Sequence, residues 1–398
     1  MKLFNINLTS ACAVLSKRMK FSAVFSVVLM SSACNAFEVP KIATDTSALS
    51  YQAEVFAQGI EVPWGMAQMP NGDMLVTERK GQLRLIQKGT LADKAITGLP
   101  SIHANGQGGL LDVARHPDYP NNQLIYITYA SPEGKGNGSN TALMRAKFNS
   151  ETNALEQQEV LYKGEDNTTK GQHYGSRIAF DDNGFIYFSI GDRGARDSKP
   201  QNLSLDGGKI YRLHLDGEVP KDNPFVGTDN AKTAVYSYGH RNPQGMAKHP
   251  KTGDIWAHEH GPRGGDEVNL ITAGKNYGWP VISYGVNYSG TSFTDLTAKP
   301  GMEQPLHHWT PSIAPSGMVF VTSNKYPQWQ GKLLVGSLKF HYLVLLDIKD
   351  NEIIGQSKVL ENIGRVRSIM QGNDGYLYVG IDGGGIKRIT AKNATNTQ

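Results

Sequence analysis

Residues 177–190 read Arg177-Ile-Ala-Phe-Asp-Asp-Asn-Gly-Phe-Ile-Tyr-Phe-Ser-Ile190. An apolar run enters four turn-forming residues, and a second apolar run rich in β-branched and aromatic side chains leaves them. Asn183-Gly184 supplies the positive φ that a tight hairpin needs, so the segment predicts two antiparallel strands. The same unit occurs five more times. Trp64–Met69 passes through Pro70-Asn71-Gly72 into Met74–Thr77, and Leu110–Arg115 passes the turn from Pro117 to Asn122 into Leu124–Tyr129. Met246–His249 reaches Ile255–His258 through Lys251-Thr252-Gly253, and Met318–Thr322 reaches Lys332–Gly336 by a longer turn. Ser368–Gln371 closes the series through Asn373-Asp374-Gly375 into Tyr376–Gly380.

Further strand-like sequence follows most units, as at Gly81–Ile86, Lys209–Leu215 and Tyr342–Ile348. Repeated four-stranded units in one chain predict an all-β fold, a six-bladed β-propeller with four-stranded antiparallel blades. A two-sheet sandwich accommodates six regular units poorly. Tyr51–Ala57 is expected to pair within the last blade and close the ring, removing an open edge. The propeller is expected over 51–390, after a linker at 37–50 and before a tail at 391–398. About 360 mature residues give about 60 per blade, more than the ~40–45 of compact blades, so the surplus belongs in loops.

Composition agrees. Charged residues are 19%, with 44 Gly and 19 Pro, which favours turns over long helices. The formal charge is +4 and no Lys/Arg block runs long, so a nucleic-acid partner is not expected. Lys17, Arg18 and Lys20 precede an apolar stretch, Phe21–Met30, and then Cys34-Asn35-Ala36. This is the layout of a signal peptide over 1–36, with Met19 an alternative start, and it predicts a periplasmic or secreted bacterial protein. Anchoring at Cys34 as a lipoprotein is the minor alternative, because Ser31 stands where such sites carry Leu. Cys12 and Cys34 both lie in this segment, so cleavage after Ala36 leaves no thiol. No later apolar run reaches the ~20 residues of a spanning helix.

Polar residues converge at the hairpin mouths. In the third unit His173 and Asp192 lie equally far from the turn centre, which predicts a histidine oriented by a carboxylate; two unrelated rim residues are the bland alternative. In the fourth, Arg241 and Asn242 fall opposite Gly261-Pro262. Arg beside Asn suits the oxygens of a flat conjugated ligand. The Gly261 and Pro262 carbonyls suit a hard cation such as calcium, with Asp266, Glu267 and the carbonyl or hydroxyl of Tyr277 in support. His258 and His260, two apart on a strand, make a poor zinc chelate. Gln107, Lys339, Arg365 and Arg367 reach the same end from other units. Three cations there call for an anionic ligand, and a small tricarboxylate bearing a quinone meets both that demand and calcium's.

With these residues in place, the chain resembles the soluble quinoprotein glucose and aldose sugar dehydrogenases, most closely the shorter bacterial aldose branch. The matching motifs are G-Q-G-G-L-L-D from Gly106, H-Y-G-S-R from His173, I-G-D-R-G from Ile190 and G-H-R-N-P-Q-G from Gly239. H-E-H-G-P-R-G-G-D-E from His258, N-Y-G-W-P from Asn276, A-P-S-G-M from Ala314, G-S-L-K from Gly336 and R-V-R from Arg365 complete an ordered set. The resemblance implies oxidation of aldose sugars to lactones with pyrroloquinoline quinone and calcium, and an external electron acceptor. It implies His173 as general base, Asp192 as its partner and Gln107 as a sugar contact. Arg241 and Asn242 would hold the quinone, and Lys339, Arg365, Arg367 and Ser312 its carboxylates. Gly261 and Pro262 would bind the cofactor's calcium, with calcium also near Glu267 and Tyr277.

Two departures bear on specificity. The glucose enzymes carry Gln after the histidine and after the aspartate, where this chain has Tyr174 and Arg193. A broad aldose range is therefore expected. Two other propeller functions compete: a metal-dependent sugar lactonase, which gives no reason for clustered Lys339, Arg365 and Arg367, and a non-catalytic binding propeller, which gives none for His173.

Overall fold

The computed structural model describes residues 43–44 and 50–392. The expected signal peptide, most of the linker and most of the tail lie outside the described residues. Within them no helix is long and apolar enough to cross a membrane.

Six sheets of four antiparallel strands follow one another along the chain. The first strands are Pro63–Gln68, Leu110–Arg115, Ile178–Phe180, Pro243–Lys248, Pro315–Phe320 and Val366–Gln371 in blades 1 to 6. Each contacts the first strand of the next blade, and blade 6 returns to blade 1. This is the expected six-bladed propeller. Tyr51–Ala57 pairs antiparallel with Gly385–Ala391, so the start of the described chain completes blade 6. Blade 5 gains a two-residue parallel addition at Ala43–Thr44. The turn after Leu110–Arg115 forms a single helical turn, Tyr119–Asn122.

Each blade is covered on both faces, which explains why the inner strands read as continuous apolar runs. Met74–Glu78, Leu333–Ser337 and Leu377–Ile381 are buried throughout. The outer strand Ala154–Lys163 is exposed over half its length and has one buried residue. The main apolar clusters sit between neighbouring blades: Trp256, Val268 and Trp309 of blade 4, for example, meet Leu333, Val335 and Val344 of blade 5. Burying one such side chain contributes roughly 1.5–3 kcal/mol.

Polar bonds tie the ring together at every junction. Thr128 Oγ1 donates to Ser176 O at 2.7 Å, Ser189 Oγ to Pro243 O at 3.2 Å, and Ser316 Oγ to Val366 O at 2.8 Å. Thr77 Oγ1 donates to Leu111 O. Ser368 Oγ closes the circle onto Pro63 O at 2.7 Å. Between blades 4 and 5 the donor is a histidine, His260 Nε2 to Pro315 O at 2.5 Å. Neighbouring first strands approach too closely for side chains at some points. A Cβ on Gly317 would lie 2.4 Å from Ile369 N, a backbone atom with no freedom to yield. Gly317→Ala is therefore expected to destabilise the fold by about 1–3 kcal/mol. A denaturant midpoint equal to that of the parent would show that the two strands can part freely.

Candidate active site

The hairpin mouths open onto two neighbouring cavities of about 410 Å³ each. The central one is lined by Trp64, Arg79, Gln107, Asn242, Arg365 and Arg367, among others. The second is lined by His173, Asp192, Arg241, Pro262, Trp279 and Tyr288. A third, of about 380 Å³, lies among the opposite ends of the first strands and takes none of the expected site residues.

The third blade's hairpin brings His173 and Asp192 together, as its symmetry predicts. His173 Nδ1 donates to Asp192 Oδ1 at 2.6 Å. The carboxylate also accepts from Gly194 N at 2.7 Å, and its second oxygen from Trp279 Nε1 at 2.9 Å. Asp192 is 1% exposed, yet bonded on both oxygens. Burial raises its pKa, and the histidine bond and the charges of His173 and Arg241 outweigh it, leaving the carboxyl below its ordinary value. His173 is 8% exposed and its backbone is left-handed, with φ 55°. Gln107 Oε1 accepts from His173 N at 2.8 Å, so this glutamine holds the histidine from the central cavity.

Burial, helped by the Arg241 charge, holds His173 below the ordinary histidine value of 6.5, against the Asp192 bond that raises it. A base whose pKa is lowered stays neutral further into acid. The acidic fall of kcat/KM is thus expected below pH 6.5. In Asp192→Asn, with the raising carboxylate gone, it should move lower still, and kcat should drop. A fall centred at or above 6.5 in the parent enzyme, or an upward move in the variant, would contradict the assignment.

Arg241 and Asn242 stand opposite His260, whose N–H donates to Asn242 O at 3.2 Å. Arg241 is anchored by its own N–H to Glu259 Oε2 at 2.5 Å and by Nη1 to His260 O at 3.1 Å, over the Trp279 ring at 5.4 Å. Asn242 Oδ1 accepts from Gly175 N at 3.1 Å. Arg365 Nε donates to Asp382 Oδ2 at 2.9 Å, and Arg367 Nε lies 3.7 Å from Asp382 Oδ1. Arg367 is partly buried, its side chain 13% exposed, with Nε buried and unbonded, while its Nη1 reaches Gln244 Oε1 at 3.3 Å.

A smaller pocket gathers Glu259, Gly261, Glu267 and Tyr277. Glu259 Oε1 accepts from His240 Nδ1 at 2.8 Å, and Asn269 Nδ2 bridges Glu259 and Glu267. Burial and the Glu259 charge push Glu267 well above the carboxylate range. The Tyr277 hydroxyl is taken by Leu270 O and Thr272 N, which leaves its carbonyl as the available oxygen. Asp266 bonds Gly261 N and Ala314 N, both at 2.9 Å, and so pins the Gly261-Pro262 turn.

Not every expected residue lines a cavity. Ser312 Oγ accepts from Ala314 N at 3.1 Å and is not among the residues that line the central cavity, which Ala314 does line. Lys339 stands exposed at the mouth beside the lining residue Leu338. Among the described residues no three His, Cys, Asp or Glu side chains are placed to hold a metal by themselves, and His260 Nε2 is engaged by Pro315 O across the ring.

A sequence model of the family described as Glucose / Sorbosone dehydrogenase matches residues 60–388. The chain belongs to the glucose/sorbosone dehydrogenase family. It is 38% identical over 330 residues to the aldose sugar dehydrogenase YliI of Escherichia coli (strain K12), covering 82% of this chain and 88% of that one. It is 30% identical over 359 residues to quinoprotein glucose dehydrogenase B of Acinetobacter calcoaceticus, covering 83% and 73%. Among solved structures, the PQQ-bound form of an aldose sugar dehydrogenase from Streptomyces coelicolor superimposes with a TM-score of 0.70 at 26% identity, covering 88% of this chain and all of that one. The chain is an oxidoreductase of this family. Sequence reasoning passed over Trp279, Arg79, Asp382 and Glu259 as site residues. Glu259 and Trp279 stood inside quoted motifs, H-E-H and N-Y-G-W-P, and were the two within reach.

Proposed function

We propose that this enzyme oxidises aldose sugars at the anomeric carbon to lactones, using pyrroloquinoline quinone and calcium. The observation that carries the reading is a buried His173–Asp192 pair opening beside a cavity where three arginines face the single carboxylate of Asp382. A planar tricarboxylate fits that cavity. Asp382 supplies one carboxylate to two arginines, Arg367 keeps a buried unbonded N–H, and Arg79 adds a further cation. An oxygen-only donor set of the Gly261 and Pro262 carbonyls, with Glu267 and the Tyr277 carbonyl beyond, fits calcium. A lactonase would instead need carboxylates gathered on the axis.

When bound, the quinone would supply the acceptor for the hydride, and with it the two electrons, lost by the sugar. The protein's part is the proton. Asp192 accepts the Nδ1 hydrogen of His173, which leaves Nε2 as the lone-pair nitrogen to take the proton from the anomeric hydroxyl. Asp192 then stabilises the imidazolium. Arg241 and Asn242 would hold the cofactor's oxygens, Arg365, Arg367 and Lys339 its carboxylates, and Gln107, which orients His173, would contact the sugar.

Reconstitution tests the reading. Chelator-stripped protein should fail to reduce a dye with several aldoses, and quinone and calcium together should restore activity that neither restores alone. Full activity without any quinone would overturn it.

A further inference from the structure

The two residues that depart from the glucose branch, Tyr174 and Arg193, meet. The Arg193 guanidinium carbon lies 3.3 Å from the centre of the Tyr174 ring. Arg193 is fully buried, and its donors go to backbone carbonyls: Nη1 to Gln172 O, and Nη2 to Lys170 O at 2.9 Å and Ser139 O at 3.3 Å. Tyr174 is fixed in turn. Its hydroxyl shares a hydrogen bond of 2.8 Å with Ser139 Oγ, its carbonyl accepts from Thr141 Oγ1 at 2.7 Å, and a Cβ on Gly108 would meet its ring at 2.5 Å.

This stack adjoins the chemistry on both strands. Tyr174 follows His173, and Arg193 follows Asp192. His173 and Arg193 are both left-handed, with φ 55° and 54°, a conformation that costs of order 1–3 kcal/mol each unless the surroundings impose it. Two of the three carbonyls that Arg193 holds belong to residues 170 and 172, the segment leading into His173. A buried cation with an unbonded Nε is an expensive way to secure a loop, and an apolar side chain of that volume would serve stability as well.

We propose that Arg193 is a positioning residue for His173, gripping the strand that enters the histidine while the Tyr174 ring fixes the guanidinium plane. The inference rests on the reading of His173 as the base. Arg193 lines neither cavity, so it acts through the histidine and not on substrate or cofactor.

The test uses the full chain loaded with quinone and calcium. Arg193→Met should lower kcat by about 10- to 100-fold, the scale of a displaced catalytic group, with little change in KM or in quinone affinity measured by titration. The low-field proton signal of the His173–Asp192 hydrogen bond should broaden or shift. Arg193→Lys keeps the charge but lacks the planar fork, and should recover little of the loss; it also carries the comparison if Arg193→Met does not fold. In a His173→Ala background, Arg193→Met should lower kcat little further. Parental kcat and an unchanged low-field signal in Arg193→Met would overturn the proposal, as would a lower melting temperature with parental kcat per bound quinone. If His173→Ala itself keeps full turnover, the base assignment fails, and the low-field signal still decides whether Arg193 positions the histidine.

Discussion

His173→Ala should lower sugar turnover by about 10²- to 10⁴-fold at saturating quinone, the usual contribution of a positioned general base, or roughly 3–5 kcal/mol of barrier. The side chain sits at a cavity wall with Nδ1 committed to Asp192, so one nitrogen remains for the substrate. Of the carboxylates in that wall, Asp192 is already bonded on both oxygens and Asp197 pairs with Arg196 at 3.4 Å. Quinone affinity should be nearly unchanged, because the cations that face the central cavity are untouched. Asp192→Asn should lose less, since the base survives without its orienting charge. Rapid dye reduction by His173→Ala under cofactor saturation would require another base.

Arg367→Ala should act on the other quantity. A charge-assisted hydrogen bond is worth about 1.5–3 kcal/mol, so the variant's quinone Kd should rise by about one to two orders of magnitude. The effect should exceed that of Lys339→Ala, because Lys339 is exposed to water and the Arg367 side chain is mostly covered, with its Nε buried. Arg367→Lys should restore only part, lacking the planar fork that matches a carboxylate. With quinone in excess, kcat should return towards the parental value. A binding titration separates the two effects, and a parental Kd in Arg367→Ala would remove this arginine from the cofactor set.

The blades were legible because turn chemistry is local. Asn71-Gly72, Asn183-Gly184 and Asp374-Gly375 each announce a hairpin without reference to anything distant. The His173–Asp192 pair was legible for the same reason, since a hairpin's centre fixes which residues meet at its mouth. Arg365 and Arg367, two apart, were placed together by strand geometry and do share Asp382. What was not legible came from loops or from across the ring. Trp279 reaches Asp192 from 87 residues away. Arg79 and Asp382 look like any rim charge in sequence. The division into two cavities depends on side-chain packing that no period reveals. His260 drew attention as a possible chelator, but its nitrogen holds two blades together.

The bond from Ser368 to Pro63 spans 305 residues, and Tyr51–Ala57 waits for Gly385–Ala391 as its partner. Such pairings place most of the entropic cost of folding before its last reward, a topology associated with slow folding. The timing matters for the cofactor as well. Its cavity takes Trp64 and Arg79 from the first blade and Arg365 and Arg367 from the last. A nascent or partly unfolded chain therefore has no half-formed cavity with which to capture the ligand. Holoenzyme assembly becomes a late event, one that follows completion of the circle and that a ligand added earlier cannot hasten.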